Sequence, residues 1–257
     1  MLSNTDFTPV WRSLMFVPVN VERYVSKAHT RGADAIQLDV EDSVAIADKP
    51  AARKLIQEAA ESVSQAGADV VVRINQPLRM AIPDLEESIS PRVKAIAVTK
   101  VDGPGHIRLL SEAIDELESE RGMDVGHTKL IAMVETAAGF LRIENIAKAH
   151  PRVVAMSLGS EDFATSIGTD PVAEVLTYPK QQGIIAARAA GIIPLGLIGT
   201  VADYQDIDAM RETIRRSRRF GFQGASCVHP KIVGLLNEEF RPTPQEVENA
   251  KKIIAAF

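Results

Sequence analysis

The sequence predicts an α/β fold of the closed (β/α)₈, or TIM-barrel, type, forming a single domain with one additional C-terminal helix. Three observations predict it. Eight short runs rich in Val, Ile, Leu and Ala alternate with longer amphipathic segments, the pattern of buried parallel strands joined by crossover helices. The chain has 257 residues, close to the usual length of one such barrel. Several of the apolar runs also end in an acidic or basic residue, and the carboxyl ends of barrel strands are where ligands are held. An open doubly wound sheet is the weaker alternative.

The predicted strands are Ser13–Val17, Ala35–Val40, Asp69–Ile74, Ala95–Lys100, Leu130–Val134, Val153–Leu158, Pro194–Ile198 and Gly224–Val228. Helical patterns lie over Val21–Arg31, Lys49–Ala66, Pro83–Ile89, His106–Arg121, Phe140–Ala149, Lys180–Ala190, Ile207–Phe220 and Lys231–Glu239. Thr243–Phe257 reads as one more helix, with Pro244 in the first turn, Glu246 and Glu248 early and Lys251 and Lys252 late, as the helix dipole prefers. Phe163–Pro179 fits neither pattern and is expected to be a long loop on the active face, a lid or a subunit contact.

With 46% hydrophobic and 25% charged residues the chain can bury one substantial core. A net charge of −5 gives no global basic field and argues against nucleic acid as the main partner. Cys227 is the sole cysteine, so no intrachain disulfide framework or thiolate metal cluster can form, which fits a reducing cytoplasm. The N-terminal residues show no targeting pattern, and no apolar run reaches membrane-spanning length. No membrane role is expected.

The chemistry is expected at the strand ends. Lys129–Ala138 (KLIAMVETAA) and Val153–Asp162 (VVAMSLGSED) are apolar runs that end in Glu135 and Asp162. Two acids from neighbouring strands can converge on one hard cation. Alternatively, each acid caps the helix that follows it. Asp39-Val40-Glu41-Asp42 follows the second run, Arg73 and Asn75 the third, Lys100 the fourth, and His229 the eighth. Arg73 and Asn75 share one face because Ile74 takes the other. Buried charges need partners, so this set is either a binding site or an internal ion-pair network. His229, preceding Pro230, is expected to serve structure, and Cys227 to pack in the core. The basic run Arg211–Arg219 reads as a solvated or subunit-facing helix surface.

In these residues the chain resembles the HpcH/HpaI aldolase and citrate lyase beta subunit (CitE-like) superfamily. Arg12-Ser13-Leu14-Met15-Phe16-Val17-Pro18 is similar to its R-S-x-L-F-V-P opening, Asp39-Val40-Glu41-Asp42-Ser43-Val44 to D-L-E-D-A-V, and Val72-Arg73-Ile74-Asn75 to V-R-V-N. Val134-Glu135-Thr136-Ala137 is similar to I-E-T-A, Gly159–Phe163 to G-x-x-D-[FL], and Gly221–Gly224 with His229-Pro230 to G-F-x-G-K-x-x-I-H-P. The likeness runs in order from Arg12 to about Ala256.

The resemblance implies a TIM barrel, commonly a homo-oligomer (trimer or hexamer), that uses Mg²⁺ to make or break a carbon–carbon bond beside a CoA thioester. It implies Glu135 and Asp162 as metal ligands. Arg73 would steady the reacting oxygen. Glu41 and Asp42 would stand behind the metal, holding its waters or a proton, and in the absence of the lid acid Glu41 or Asp42 would be the proton donor or base. Arg12, Phe16, Lys27 and Asn75 would face the CoA thioester and a small 2-oxo acid. The expected reaction is cleavage of a malyl-, citramalyl- or citryl-type thioester. Thioester hydrolysis, aldol cleavage of a free hydroxy-oxo acid and a non-catalytic CoA-binding subunit are the alternatives. The sequence departs from the pattern at Ala225, where the family has lysine, and its end near Phe257 suggests a short form without the family's C-terminal lid and its acid.

Overall fold

The computed structural model describes residues 9–199 and 205–256. Eight parallel strands form one sheet in the order β7-β6-β5-β4-β3-β2-β1-β8. They are β1 (Ser13–Pro18), β2 (Ala35–Asp39), β3 (Asp69–Ile74), β4 (Val93–Val98), β5 (Lys129–Val134), β6 (Val153–Leu158), β7 (Ile193–Leu195) and β8 (Ala225–Cys227). The ring closes between β7 and β8 through one bridge, Leu195 to Gly224. Gly196 N–H donates to the Gly224 carbonyl there at 2.8 Å. The predicted barrel is therefore observed.

The helices are α1 (Glu22–Ala28), α2 (Lys49–Ala52), α3 (Ile56–Val63), α4 (Leu78–Ser88), α5 (Pro104–Glu120), α6 (Ala137–Phe140), α7 (Ile143–Ala147), α8 (Ser160–Ile167), α9 (Ala173–Ala189), α10 (Ile207–Phe220), α11 (Val233–Glu239) and α12 (Pro244–Ala255). Alternation along each strand divides the apolar residues between two cores. Leu14, Ala35, Val71, Ala97, Ile131 and Leu195 pack inside the barrel. Ile36, Leu38, Val72, Ile96, Leu130 and Val134 face outward under the helices. Strands covered on both faces read as continuous apolar runs, which is why they are legible in the sequence.

The differences from expectation cluster around proline and short strands. Pro83 and Pro179 lie inside α4 and α9, although proline removes a helical hydrogen bond. The expected helix starts at Pro83 and Lys180 are therefore several residues late. Phe163–Pro179 is not a long loop, because α8 and α9 absorb most of it. Only three residues each form β7 and β8. The C-terminal helix forms with the capping box its sequence spells, Thr243 and Glu246 each bonding the other's backbone N–H. Phe257, included in that predicted helix, lies outside the described residues.

Candidate active site

Because the strands are parallel, their carboxyl ends meet at one mouth, and the polar residues that follow them converge there. Asp39, the last residue of β2, is almost fully buried. It accepts from Arg73 Nε at 2.8 Å and Nη2 at 2.6 Å, and from the N–H groups of Glu41 and Ser43. Burial pushes its carboxyl up, but these bonds and the Arg73 charge more than offset that and leave it below the ordinary range. The guanidinium also lies 3.3 Å from Glu41 Oε2 and 3.7 Å from Asp42 Oδ2. Its underside rests on the Phe16 ring, 4.7 Å from the centroid. Arg73 is thus fixed, and β3 aims it into the mouth.

Glu135 follows β5 and is 5% exposed. Its Oε2 accepts from the Lys100 N–H at 2.7 Å. Burial pushes its carboxyl up to about 7 against the pull of Lys100. Oε1 accepts no hydrogen bond among the described residues and abuts Gly159, where any Cβ would come within 2.5 Å of it. Asp162 stands in the first turn of α8. Neither acid caps a helix: Thr136 caps α6 by accepting from Gly139 N–H, and α8 has no side-chain cap. The capping alternative is excluded for both.

Lys100 completes the cluster, and sequence reasoning gave it no role. Its ammonium lies 2.6 Å from Glu41 Oε1, 2.9 Å from Asp162 Oδ2 and 3.7 Å from Asp42 Oδ1. Its φ of +49° is the one left-handed conformation outside glycine among the described residues, a strained arrangement typical of functional sites. Burial lowers its pKa, but Glu41 and Asp162 more than offset this and raise it. Burial raises that of Glu41, against the pull of Arg73 and Lys100. The available signal was positional: a lysine at the end of a strand flanked by two acid-terminated ones.

Of the other expected contacts, Phe16 lines the mouth and Lys27 lies beside it. A groove of about 700 Å³ next to Phe16 and Arg73 is flanked by Arg23, Lys27 and Arg31. Asn75 faces away from the cavity. Its amide donates to the Val40 carbonyl and Asp84, and it accepts from the buried Lys49, which also donates to the Glu41 carbonyl. Asn75 therefore braces the Asp39–Asp42 segment from behind and is not placed to touch a substrate. Arg12 is a correction. It precedes β1 at the opposite end of the barrel, where it forms a two-pronged ion pair with Asp34, because a residue before a parallel strand cannot reach the carboxyl mouth. His229 accepts from Lys231 N–H at the start of a helical turn, as expected for a structural role. Cys227 is buried, with its thiol pushed up to about 12.

The central cavity, about 190 Å³, is lined by Arg73, Glu135, Asp162, Gly159 and Phe16 above and by Met133, Ser157, Leu195 and Ser226 below. Among the described residues no three His, Cys, Asp or Glu side chains form a metal cage. Two carboxylates still suit magnesium, which commonly takes one or two protein acids and leaves its other positions to substrate and water. The open Oε1 of Glu135, given room by Gly159, fits that donor set.

A parallel barrel with two acids, a guanidinium and an ammonium converging at its carboxyl end defines a class of enzyme that handles small oxyanions with a divalent cation. Residues 12–230 match the HpcH/HpaI aldolase/citrate lyase family. The citrate lyase subunit beta of Leuconostoc mesenteroides subsp. cremoris is 34% identical over 252 residues, covering 96% of this chain and 82% of that protein. The (3S)-malyl-CoA thioesterase of Cereibacter sphaeroides is 32% identical, covering 96% and 83%. The crystal structure of CitE from Mycobacterium tuberculosis with magnesium, acetoacetate and coenzyme A superposes with a TM-score of 0.74 at 25% identity, covering 97% of this chain and 88% of that one. The chain belongs to the HpcH/HpaI aldolase/citrate lyase family. It is a lyase, and the magnesium in the similar CitE structure is that protein's ligand. Among the described residues no helix is long and apolar enough to cross a membrane.

Proposed function

We propose that this enzyme cleaves a 3-hydroxyacyl-CoA thioester of malyl, citramalyl or citryl type into an acyl-CoA and a 2-oxo acid. The observation that carries this reading is the meeting of the fixed Arg73 guanidinium, the Lys100 ammonium and the Glu135–Asp162 pair at one small cavity beside a larger basic groove. Cleavage removes the hydroxyl proton, breaks the carbon–carbon bond and moves its electron pair onto the carbon beside the thioester, whose oxygen becomes an enolate. A proton then returns to that carbon. Glu135 and Asp162 would hold magnesium, which when bound polarises the hydroxyl and carboxylate that become the 2-oxo acid.

Arg73 is held rigid by Asp39 and Phe16, so it can stabilise the enolate oxygen without reorganising. Glu41, its carboxyl raised by burial and linked to Lys100, suits proton exchange with the reacting carbon, and Asp42 stands beside it at the cavity rim. Arg23, Lys27 and Arg31 supply the positive charge that a phosphate-bearing handle requires, and the phenyl face of Phe16 lies at the junction of groove and cavity. These features favour a CoA thioester over a free hydroxy-oxo acid.

Mass spectrometry of products from racemic malyl-, citramalyl- and citryl-CoA, with magnesium and with EDTA, tests the proposal. Metal-dependent formation of an acyl-CoA and a 2-oxo acid is the expected result. Free CoA with an intact hydroxy acid would replace it with the thioester hydrolysis named for the Cereibacter relative. Unimpaired turnover by Glu135→Ala would remove the metal assignment.

A further inference from the structure

The cavity wall at the end of β7 is built unlike the rest of the mouth. β7 has only three residues and meets β8 through one bridge, so the chain beyond Leu195 runs on without a strand ladder. Leu197 and Ile198 are buried all the same. Buried backbone N–H and C=O groups need partners, and here two helices supply them from side chains. Lys180, on the inner face of α9, donates to the carbonyls of Leu197, Ile198 and Gly199. Ser217 of α10 accepts from the Ile198 N–H at 2.9 Å and passes its own proton to the Thr213 carbonyl at 2.6 Å. Residues 197–199 are thus held from below by a cation and from the side by a hydroxyl.

Packing of helix on sheet does not account for Lys180. It is 3% exposed, whereas Leu176, Pro179, Ile184 and Ala187 cover the rest of that inner face with hydrocarbon. It forms no ion pair among the described residues, and Glu161 acts on it only at longer range. A buried charge without a carboxylate is expensive. What the ammonium brings is three donors at one point, all of them spent on three successive carbonyls. The segment so held borders the cavity through Leu197 and Gly199, next to Glu161 and Asp162.

We propose that Lys180, with Ser217 as its counterpart, is a positioning residue that limits how far the β7-end wall can yield, and so grades 2-oxo acids by the size of the substituent on the oxo carbon. This rests on the reading of the mouth as the site where Glu135 and Asp162 hold magnesium and the acid. Because β7 neighbours β6, an acid held beside Asp162 packs against this wall. The acids released from malyl-, citramalyl- and citryl-type thioesters differ only in that substituent. One methylene more or less against a firm apolar pocket changes recognition by roughly tenfold to two-hundredfold. Against a wall that gives way the same difference counts for little.

Calorimetric titration of the purified protein in magnesium chloride with glyoxylate, pyruvate and 2-oxobutyrate tests this, since hydrogen, methyl and ethyl form a graded series without added charge. The unaltered protein is expected to bind the tightest of the three at least about tenfold better than the weakest. Lys180→Met should compress that spread to within about threefold, while magnesium affinity measured without acid stays within about twofold, because Glu135 and Asp162 stand on other elements. Ser217→Ala, a smaller change, should compress the spread in the same direction. A purely structural role would lower the active fraction and leave the spread intact, so an unchanged spread in the folded variants would overturn the proposal. Equal binding of all three acids to the unaltered protein would overturn it too, with the reading of the mouth left standing. Magnesium-dependent binding of none of them would overturn that reading and the clamp with it.

Discussion

Replacing Gly159 with alanine should weaken magnesium binding by crowding Glu135, the carboxylate proposed to hold the metal, from behind. The glycine has φ −71° and ψ 113°, a conformation open to any residue, so the effect is purely steric. An added Cβ would lie 2.5 Å from Glu135 Oε1, 2.7 Å from its Cγ and 3.1 Å from its Cδ, whereas ordinary contact begins at 3.4 Å. The carboxylate must therefore retreat by about 0.9 Å. Its other oxygen is tethered to the Lys100 N–H at 2.7 Å, so the movement tilts the group away from the cavity. Magnesium demands near-ideal octahedral geometry with short bonds, and a shift of this size should raise its dissociation constant at least about tenfold, or about 1.4 kcal/mol. The overpacking should also lower stability by about 1–3 kcal/mol. Calorimetric magnesium titration and thermal melting read the two effects. Gly105→Ala is the control, because nothing lies within 4 Å of that Cβ. A Gly159→Ala protein with unaltered magnesium affinity and melting temperature would refute the view that this glycine makes room for the ligand.

Three further expectations follow from buried groups. The Glu135 carboxyl, ordinarily near 4.5, sits at about 7 in the fold, so in the metal-free protein the native state holds a proton that the unfolded chain has lost. Its contribution is full below about 4.5 and disappears as pH rises through about 7, a change of about 3 kcal/mol. Melting series in EDTA should show this slope for the native protein and not for Glu135→Gln. Lys180 is almost fully buried and donates to the carbonyls of Leu197, Ile198 and Gly199 at 2.6, 3.2 and 2.7 Å. Lys180→Met leaves all three without that donor and should cost about 2–4 kcal/mol in denaturant unfolding. Cys227, its thiol raised to about 12 by burial, should ignore thiol reagents at pH 8 until the protein is unfolded.

The barrel was legible because its strands are buried on both faces, and the mouth because charged residues end apolar runs at Asp39, Arg73, Lys100, Glu135 and Asp162. The family pattern then assigned roles to most of these. It misled at Arg12, whose motif lies in sequence beside Phe16 but at the other end of a strand running the length of the barrel. Lys100 was noted at its strand end but given no individual role, because that role depends on an unusual backbone angle and on acids from the β2 end and α8, neither of which leaves a local signature. Alternation was expected to put Asn75 on the face of Arg73, but the strand ends at Ile74 and the amide turns outward to Asp84.

The seam between β7 and β8 gives the ring a mechanical asymmetry. Every other junction is laced by a ladder of three to five paired residues, whereas this one rests on a single bridge. The wall is therefore a split hoop, stiff around most of its circumference and compliant at one joint. Leu195 and Gly196 at that joint also border the cavity. Expansion of the pocket around a bulkier acid should be taken up there, and amide hydrogens of residues 193–197 and 223–227 should exchange ahead of those in β2 to β5.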